Sequence, residues 1–259
     1  MHDEIDEKAL EAVRTWIDRA ERIVVLTGAG ISTDSGIPDF RGPKGLWTNN
    51  PGAERMATLR HYVADPAVRR RAWKNRLESA AGQAAPNDGH RALVDLERRG
   101  KLHTLITQNV DGLHQKAGTS PERVVEIHGN TREVVCLDCG ERAPMTRALD
   151  RVRAGENDPS CRTCGGILKS ATISFGQGLV AGDLLRAEDA ARACDLMLAV
   201  GTTLAVFPIA AIVPVAGDSG ARVVIVNADP TEMDHLADAV LRGSISAILP
   251  RLVAPTRLR

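Results

Sequence analysis

Aromatic residues make up only 3% of the chain, one Tyr, three Phe and three Trp. So few flat side chains argue against a surface built to stack nucleic-acid bases. Net charge is missing too, with Lys plus Arg and Asp plus Glu at 33 each. No global field therefore draws the chain to nucleic acid or to an anionic membrane. No apolar run approaches the roughly 20 residues of a membrane span. The opening "MHDEIDEKALEAVRTWIDRAER" lacks the basic start and apolar stretch of a signal peptide, so a cytoplasmic protein is expected. What remains is ordinary globular material: 259 residues, 43% hydrophobic, enough for one large core and a smaller unit.

Cysteine is scarce but patterned. Cys136, Cys139, Cys161 and Cys164 form two Cys-x-x-Cys pairs, the spacing of four-thiolate zinc sites. Two disulfides are the alternative. Without a secretion signal reduced thiols are expected, which favours one structural zinc. Cys194, in "ACDLMLAVG", reads as a small buried hydrophobe.

Periodicity places the elements. Ile5, Leu10, Val13, Trp16 and Ile17 fall near one face of a first helix. "RIVVLTGAG" reads as a strand and turn, and "HRALVDLERRG" as a helix led in by Pro86-Asn87-Asp88 and stopped at Gly100. "LHTLITQNV" and "VVEIHG" read as further strands. From Thr131 to about Lys169 the periodicity gives way to Cys, Gly, Pro and charge. That segment is expected to be held by metal, having too few apolar residues for its own core. Then follow "ATISFG", a helix near "DLLRAEDAARAC", the strand "DLMLAVG", a helix from Pro208, the strand "ARVVIVNAD" and a helical C-terminus. The expectation is an α/β fold, a Rossmann-like parallel sheet with helices on both faces. Residues 1–43, 86–130 and 170–259 would form that domain, 44–85 a helical insertion or lid, and 131–169 a zinc-ribbon module.

"GAGISTDSGIPDFRG", residues 28–42, follows the first strand. Glycines there let backbone N–H groups approach a pyrophosphate beside a helix start. The usual dinucleotide fingerprint has an acidic residue about 20 positions on, which is missing here. A plain connector would look similar, and the turn alone does not decide. The strings that follow in order are "GIPDFRGPKGLW", "TQNVDGLHQKAG", "EIHGN", the paired cysteines, "SFG", "GTTLAVFPIA" and "VNADPT". Together, from about Arg22 to Leu252, they resemble the sirtuins, NAD-dependent protein deacylases. "PNDGHRAL" and "VVCLDCGE" are similar to the bacterial branch called class II.

The resemblance implies NAD across the carboxyl ends of the sheet. Gly28, Ala29 and Gly30 would meet the pyrophosphate. Asp39, Phe40 and Arg41 would form a mobile cofactor loop, Phe40 shielding the nicotinamide side and Arg41 meeting phosphate or ribose. Gln108 would hold the nicotinamide ribose, with Asn109 and Asp111 lining the nicotinamide pocket. Gly201, Thr202 and Thr203 would face phosphate and adenosine ribose, Asn227 that ribose also, and Ile245 the adenine. Ile173 and Phe175 would line the acyl-lysine channel. A substrate peptide would add as a strand between Gly176–Gln177 and Val206–Phe207. Members that favour acidic acyl groups carry Tyr-x-x-Arg where this chain has Trp73 and Arg76. Trp73 offers no phenol, so a succinyl preference is not expected, and the neighbouring arginines read as a solvated helix face.

Of seven histidines, His128 follows the short strand "VVEI" and matches the family's catalytic base, with Asn109 beside it as a catalytic partner. His114 reads as positioning its loop and His90 as supporting a helix start. In the implied reaction the acyl oxygen attacks C1′ of the ribose as nicotinamide departs. The base then takes a proton relayed from the ribose hydroxyls, and the acyl group ends on ADP-ribose. A neutral imidazole near pH 7 suits that role. The implied partner is an acylated-lysine protein or peptide, with no membrane or nucleic acid. A mono-ADP-ribosyltransferase on the same scaffold is the alternative activity, and a non-enzymatic zinc-ribbon adaptor a third reading that balanced charge disfavours.

Overall fold

Ile23–Thr27, β1, is apolar on both faces, so it can be satisfied only between two covering layers. In the computed structural model of this chain the described residues are 6–40, 42, 45–49, 52–79 and 84–255, so Ile5 and Arg41 lie outside them. Beside β1 run β2 (Leu102–Thr107) and β3 (Val124–Glu126). A separate group follows, β4 (Gly129–Cys136), β5 (Arg142–Pro144) and β6 (Leu168–Thr172), before the chain returns with β7 (Leu196–Val200), β8 (Arg222–Val226) and β9 (Ala239–Leu241). The large sheet has the order β3-β2-β1-β7-β8-β9, and every neighbour is parallel. Strand order reverses at β1, where α/β sheets open a crevice for ligands.

Side chains alternate between two cores. Ile23, Val25, Leu198 and Val224 face one layer. There Leu10, Val13 and Ile17 of α1 (Glu7–Arg19), Leu93 and Leu96 of α6 (Asp88–Arg98), and Ile248 and Leu252 of α11 (Ile245–Val253) cover them. Val24, Leu26, Met197 and Ile225 face the other, against α9 (Ala181–Ala193) and α10 (Ile212–Asp218). Each such fully buried aliphatic side chain contributes about 1.5–3 kcal/mol. Caps set the helix starts: Asp6 accepts from the Lys8 and Ala9 N–H groups, and Asn87 opens α6 in a reciprocal pair with His90.

Several elements depart from the sequence reading, among them β4, β5 and α8 (Met145–Arg153), which lie where no periodic element is expected. "ATISFG" is strand only as far as Thr172, and it pairs antiparallel with β4 in the small β5-β4-β6 sheet. Strand β9 carries no sequence signal, because an edge strand of three residues needs no apolar run on both faces.

Among the described residues the insertion after β1 carries four short helices, α2 (Leu46–Asn49), α3 (Ala53–Ala57), α4 (Leu59–Ala64) and α5 (Pro66–Glu78). Contrary to expectation, the cysteine-bearing segment does have a core: Val134, Cys136, Cys161, Leu168 and, from α8 (Met145–Arg153), Met145 and Ala148. Trp73 of α5, 2% exposed, completes it, so the two insertions share one apolar centre. The arginines around Trp73 are correspondingly not one solvated face. Arg70 and Arg71 are exposed, whereas Arg69 pairs with Asp158 at 2.9 Å. Arg76 is half-buried, its Nη1 covered and without a partner among the described residues, and burial lowers its pKa. No helix among the described residues is long and apolar enough to cross a membrane.

Candidate active site

The parallel register brings strand ends to one level. Thr27 pairs with Thr107 and Val200, Val200 with Val226, and Thr107 with Glu126. The segments starting at Gly28, Gln108, Gly201 and Asn227 therefore leave the sheet together, and His128 follows two residues after Glu126.

Two of these segments touch through backbone. Gly28 N–H donates to Val200 O at 3.0 Å, Gly30 N–H to Gly201 O at 2.8 Å, and Gly201 N–H to Val226 O at 2.9 Å. A Cβ on Gly28 would stand 2.6 Å from Gly201 O, and one on Gly201 (φ +62°) would stand 2.5 Å from Ile31 N. Glycine is required here for chain to meet chain. Beside these contacts Ala29 and Gly30 are half-buried and Thr203 is exposed, so these turns reach solvent at the carboxyl ends of the strands. Thr202 is buried, and Leu204 adopts φ 56°, rare for a side chain of its size. Asn227, 8% exposed, donates from Nδ2 to Asp229 O at 2.8 Å. Ile245 opens α11 with its side chain buried, close enough to Gly201 that an added Cβ would meet its Cδ1 at 2.8 Å.

Polar side chains converge between β1 and β2. Asn109, 7% exposed, donates from Nδ2 to Gly28 O at 3.0 Å and to Ser32 Oγ at 3.3 Å. Ser32 donates to Asp111 Oδ2 at 2.8 Å. Gln108 Nε2 reaches Thr202 Oγ1 at 2.9 Å, tying this segment to the one after β7. His128 Nδ1 lies 3.1 Å from Gln108 O. A carbonyl only accepts, so Nδ1 carries the proton and Nε2 keeps a lone pair. Burial lowers the His128 pKa below its ordinary 6.5, with the Gln108 bond opposing. The ring is thus a neutral, oriented base at pH 7. The structure brings Gly28, Ala29, Gly30, Gln108, Asn109, Asp111, His128, Gly201, Thr202, Thr203 and Asn227 to the carboxyl ends of the parallel strands.

The segment after Gly36 is more local. Asp39 Oδ1 accepts from Gly42 N–H at 3.0 Å and its carbonyl accepts from Leu46 N–H at 2.7 Å, so Asp39 holds a turn. Phe40 is 39% exposed, and Arg41 lies outside the described residues. Ile173 N–H donates to His128 O at 2.7 Å, which ties Ile173 to the segment that carries the imidazole. Phe175 is gripped by the helical insertion, its N–H on Ala57 O at 2.9 Å and its O on Leu59 N–H at 3.0 Å. Gly176 (φ +82°) and Phe207 remain exposed and Val206 half-buried, although Val206 O is engaged by Ala210 N–H.

Ser32, Thr27 and Thr107 carry contacts that sequence reading assigned to no one. Thr27 and Thr107 are 0% and 2% exposed, and the available signal is a hydroxyl at the last position of each strand.

The Sγ atoms of Cys136, Cys139, Cys161 and Cys164 all lie within 4.8 Å of one another, with Cys136–Cys164 at 3.5 Å and Cys139–Cys161 at 3.8 Å. Thiolates on a tetrahedral zinc, with Zn–S about 2.3 Å, sit roughly 3.8 Å apart, so the donor set fits that ion. Four thiolates leave no position for a catalytic water.

The profile described as "Sir2 family" matches residues 28–208. The chain belongs to the Sir2 family. Among its Sir2 relatives, the NAD-dependent protein deacetylase 2 of Streptomyces coelicolor is 52% identical over 231 residues, covering 89% of this chain and 96% of its own. The NAD-dependent protein deacylase 2 of Pyrobaculum aerophilum is 40% identical, covering 91% of each chain. A solved Sir2–p53 peptide–NAD+ structure has a TM-score of 0.84 at 31% identity, covering 94% of this chain and 96% of that one. Sir2 bound to acetylated peptide gives 0.83 at 28% identity over the same shares.

Proposed function

We propose that this Sir2-family chain is an NAD-dependent protein-lysine deacylase of the deacetylase type. It takes an acylated-lysine protein or peptide, with NAD as co-substrate. NAD supplies an electrophilic ribose carbon, nicotinamide as leaving group, and the ADP-ribose that carries the acyl group away. His128 Nε2 accepts the proton released from a ribose hydroxyl, while Gln108 O fixes the tautomer. Asn109 and Asp111, oriented through Ser32, line the nicotinamide pocket. Gly28, Ala29 and Gly30 face phosphate, as do Gly201, Thr202 and Thr203. Gln108 and Asn227 serve the two riboses, and Ile245 the adenine. Asp39, Phe40 and Arg41 close over the reactive end. The substrate strand lies between Gly176–Gln177 and Val206–Phe207, with Ile173 and Phe175 along the acyl-lysine. Cys136, Cys139, Cys161 and Cys164 hold one structural zinc, and the reduced thiols this needs suit a cytoplasmic setting.

The observation that carries this reading is the Nδ1 bond from His128 to Gln108 O, which leaves Nε2 basic. Incubation with acetyl-lysine peptide and NAD is expected to release nicotinamide and an acylated ADP-ribose in equal amounts. His128→Ala is expected to lower kcat/KM by about 10²- to 10⁴-fold. Label from NAD retained on protein would instead favour mono-ADP-ribosyl transfer.

A further inference from the structure

His114 has no part in the reaction as read above, yet it is 1% exposed and wired to the site. It sits on α7 (Leu113–Ala117), whose first N–H, on Leu113, donates to Asp111 Oδ1 at 2.9 Å. Its Nε2 lies 3.0 Å from Thr27 Oγ1. Thr27 Oγ1 donates to Thr107 Oγ1 at 2.8 Å, and Asn109 N–H donates to the same Thr107 oxygen at 3.1 Å. Thr27 has a single hydroxyl proton, which goes to Thr107, so the proton between Thr27 and His114 must come from His114. His114 is therefore the Nε2–H tautomer. Burial, with His90 packed 4.9 Å away, holds the ring neutral, so that donor persists.

These contacts close into a ring. From His114 it runs through Thr27 and Thr107 to the backbone of Asn109. The Asn109 side chain continues to Ser32, Ser32 to Asp111 Oδ2, and Asp111 Oδ1 to the start of the helix that bears His114. Every member is buried or half-buried, and buried networks of this kind rigidify what they enclose. We infer that His114 is a positioning residue, which sets the orientation of the Thr27–Thr107 hydroxyls and through them holds Asn109 and Asp111 for nicotinamide. The inference rests on the reading of Asn109 and Asp111 as the nicotinamide pocket.

The test uses the full chain with NAD, an acetyl-lysine peptide and free nicotinamide, and compares His114→Phe, His114→Gln and Thr27→Val. In His114→Phe and Thr27→Val, inhibition by nicotinamide is expected to weaken and kcat to fall, each about tenfold or more, at unchanged KM for peptide. His114→Gln keeps an N–H at the ring's position and is expected to stay within about threefold of wild type. The double variant His114→Phe/Thr27→Val is expected to be no worse than either single, because both break one relay. Wild-type inhibition in both single variants, or a Gln variant as impaired as the Phe variant, overturns the inference. If His114→Phe does not fold, the near-isosteric Thr27→Val decides alone. Asn109→Ala is the reference. If it leaves nicotinamide inhibition unchanged, the pocket reading fails and the inference with it. If it weakens inhibition while the relay variants do not, the relay alone is wrong.

Discussion

Gly201 and Gly220 are both left-handed, at φ +62° and +93°, but only one has a neighbour. A methyl on Gly220 would meet nothing within 4 Å. A methyl on Gly201 would lie 2.5 Å from Ile31 N and 2.8 Å from both Gly30 C and Ile245 Cδ1. Two of those three are backbone atoms of the loop that follows β1, which cannot rotate away. Alanine at either position carries the left-handed strain of about 1–2 kcal/mol. Gly201→Ala adds an overpacking cost of about 1–3 kcal/mol. With roughly 2–4 °C of melting temperature per kcal/mol at this chain length, Gly220→Ala is expected to lose about 2–8 °C and Gly201→Ala about 4–20 °C. The functional contrast is sharper. Gly220→Ala is expected to keep full nicotinamide release, whereas Gly201→Ala loses most of it at temperatures where it is still folded. Parallel thermal melts and NAD-dependent nicotinamide release are the assays. Equal melting points and equal activities would show that the two loops do not depend on backbone-to-backbone contact, and the argument from glycine would collapse.

Zinc removal by a strong chelator is expected to unfold the shared core of the insertions, read as a red shift of Trp73 emission against a Trp73→Phe control, and Cys161→Ser is expected to do the same. His90, 0% exposed, has its pKa pushed down to about 4 by burial. The unfolded chain takes up that proton near 6.5, so this contribution is whole above pH 6.5 and is lost as pH falls toward 4. About 2 kcal/mol should be gone by pH 5, measured as the shift in urea midpoint and flattened in His90→Gln. For His128, lowered by burial, the acid limb of kcat/KM is expected below pH 6.5, and a limb above pH 7 would contradict a neutral base.

Much of this protein was legible before folding. The apolar strands, the helix lead-in at Asn87, the paired cysteines and the "QNVD" and "EIHG" strings are local. Each depends on residues a few positions apart, so period and spacing expose them. Three matters were settled only by long-range contact. Whether Trp73 and Arg76 faced water depended on the cysteine-bearing segment packing against α5, about 60 residues on. Why Gly28 and Gly201 must be bare depended on two loops meeting across the sheet. The ring through His114, Thr27 and Asn109 joins residues up to 87 positions apart. Sequence by itself specified the buried strands of the large sheet and the four clustered cysteines, because those signals are short in range. Only the tertiary structure decided which buried hydroxyls and imidazoles hold the site together, because a hydrogen bond between two strands leaves no periodicity in either.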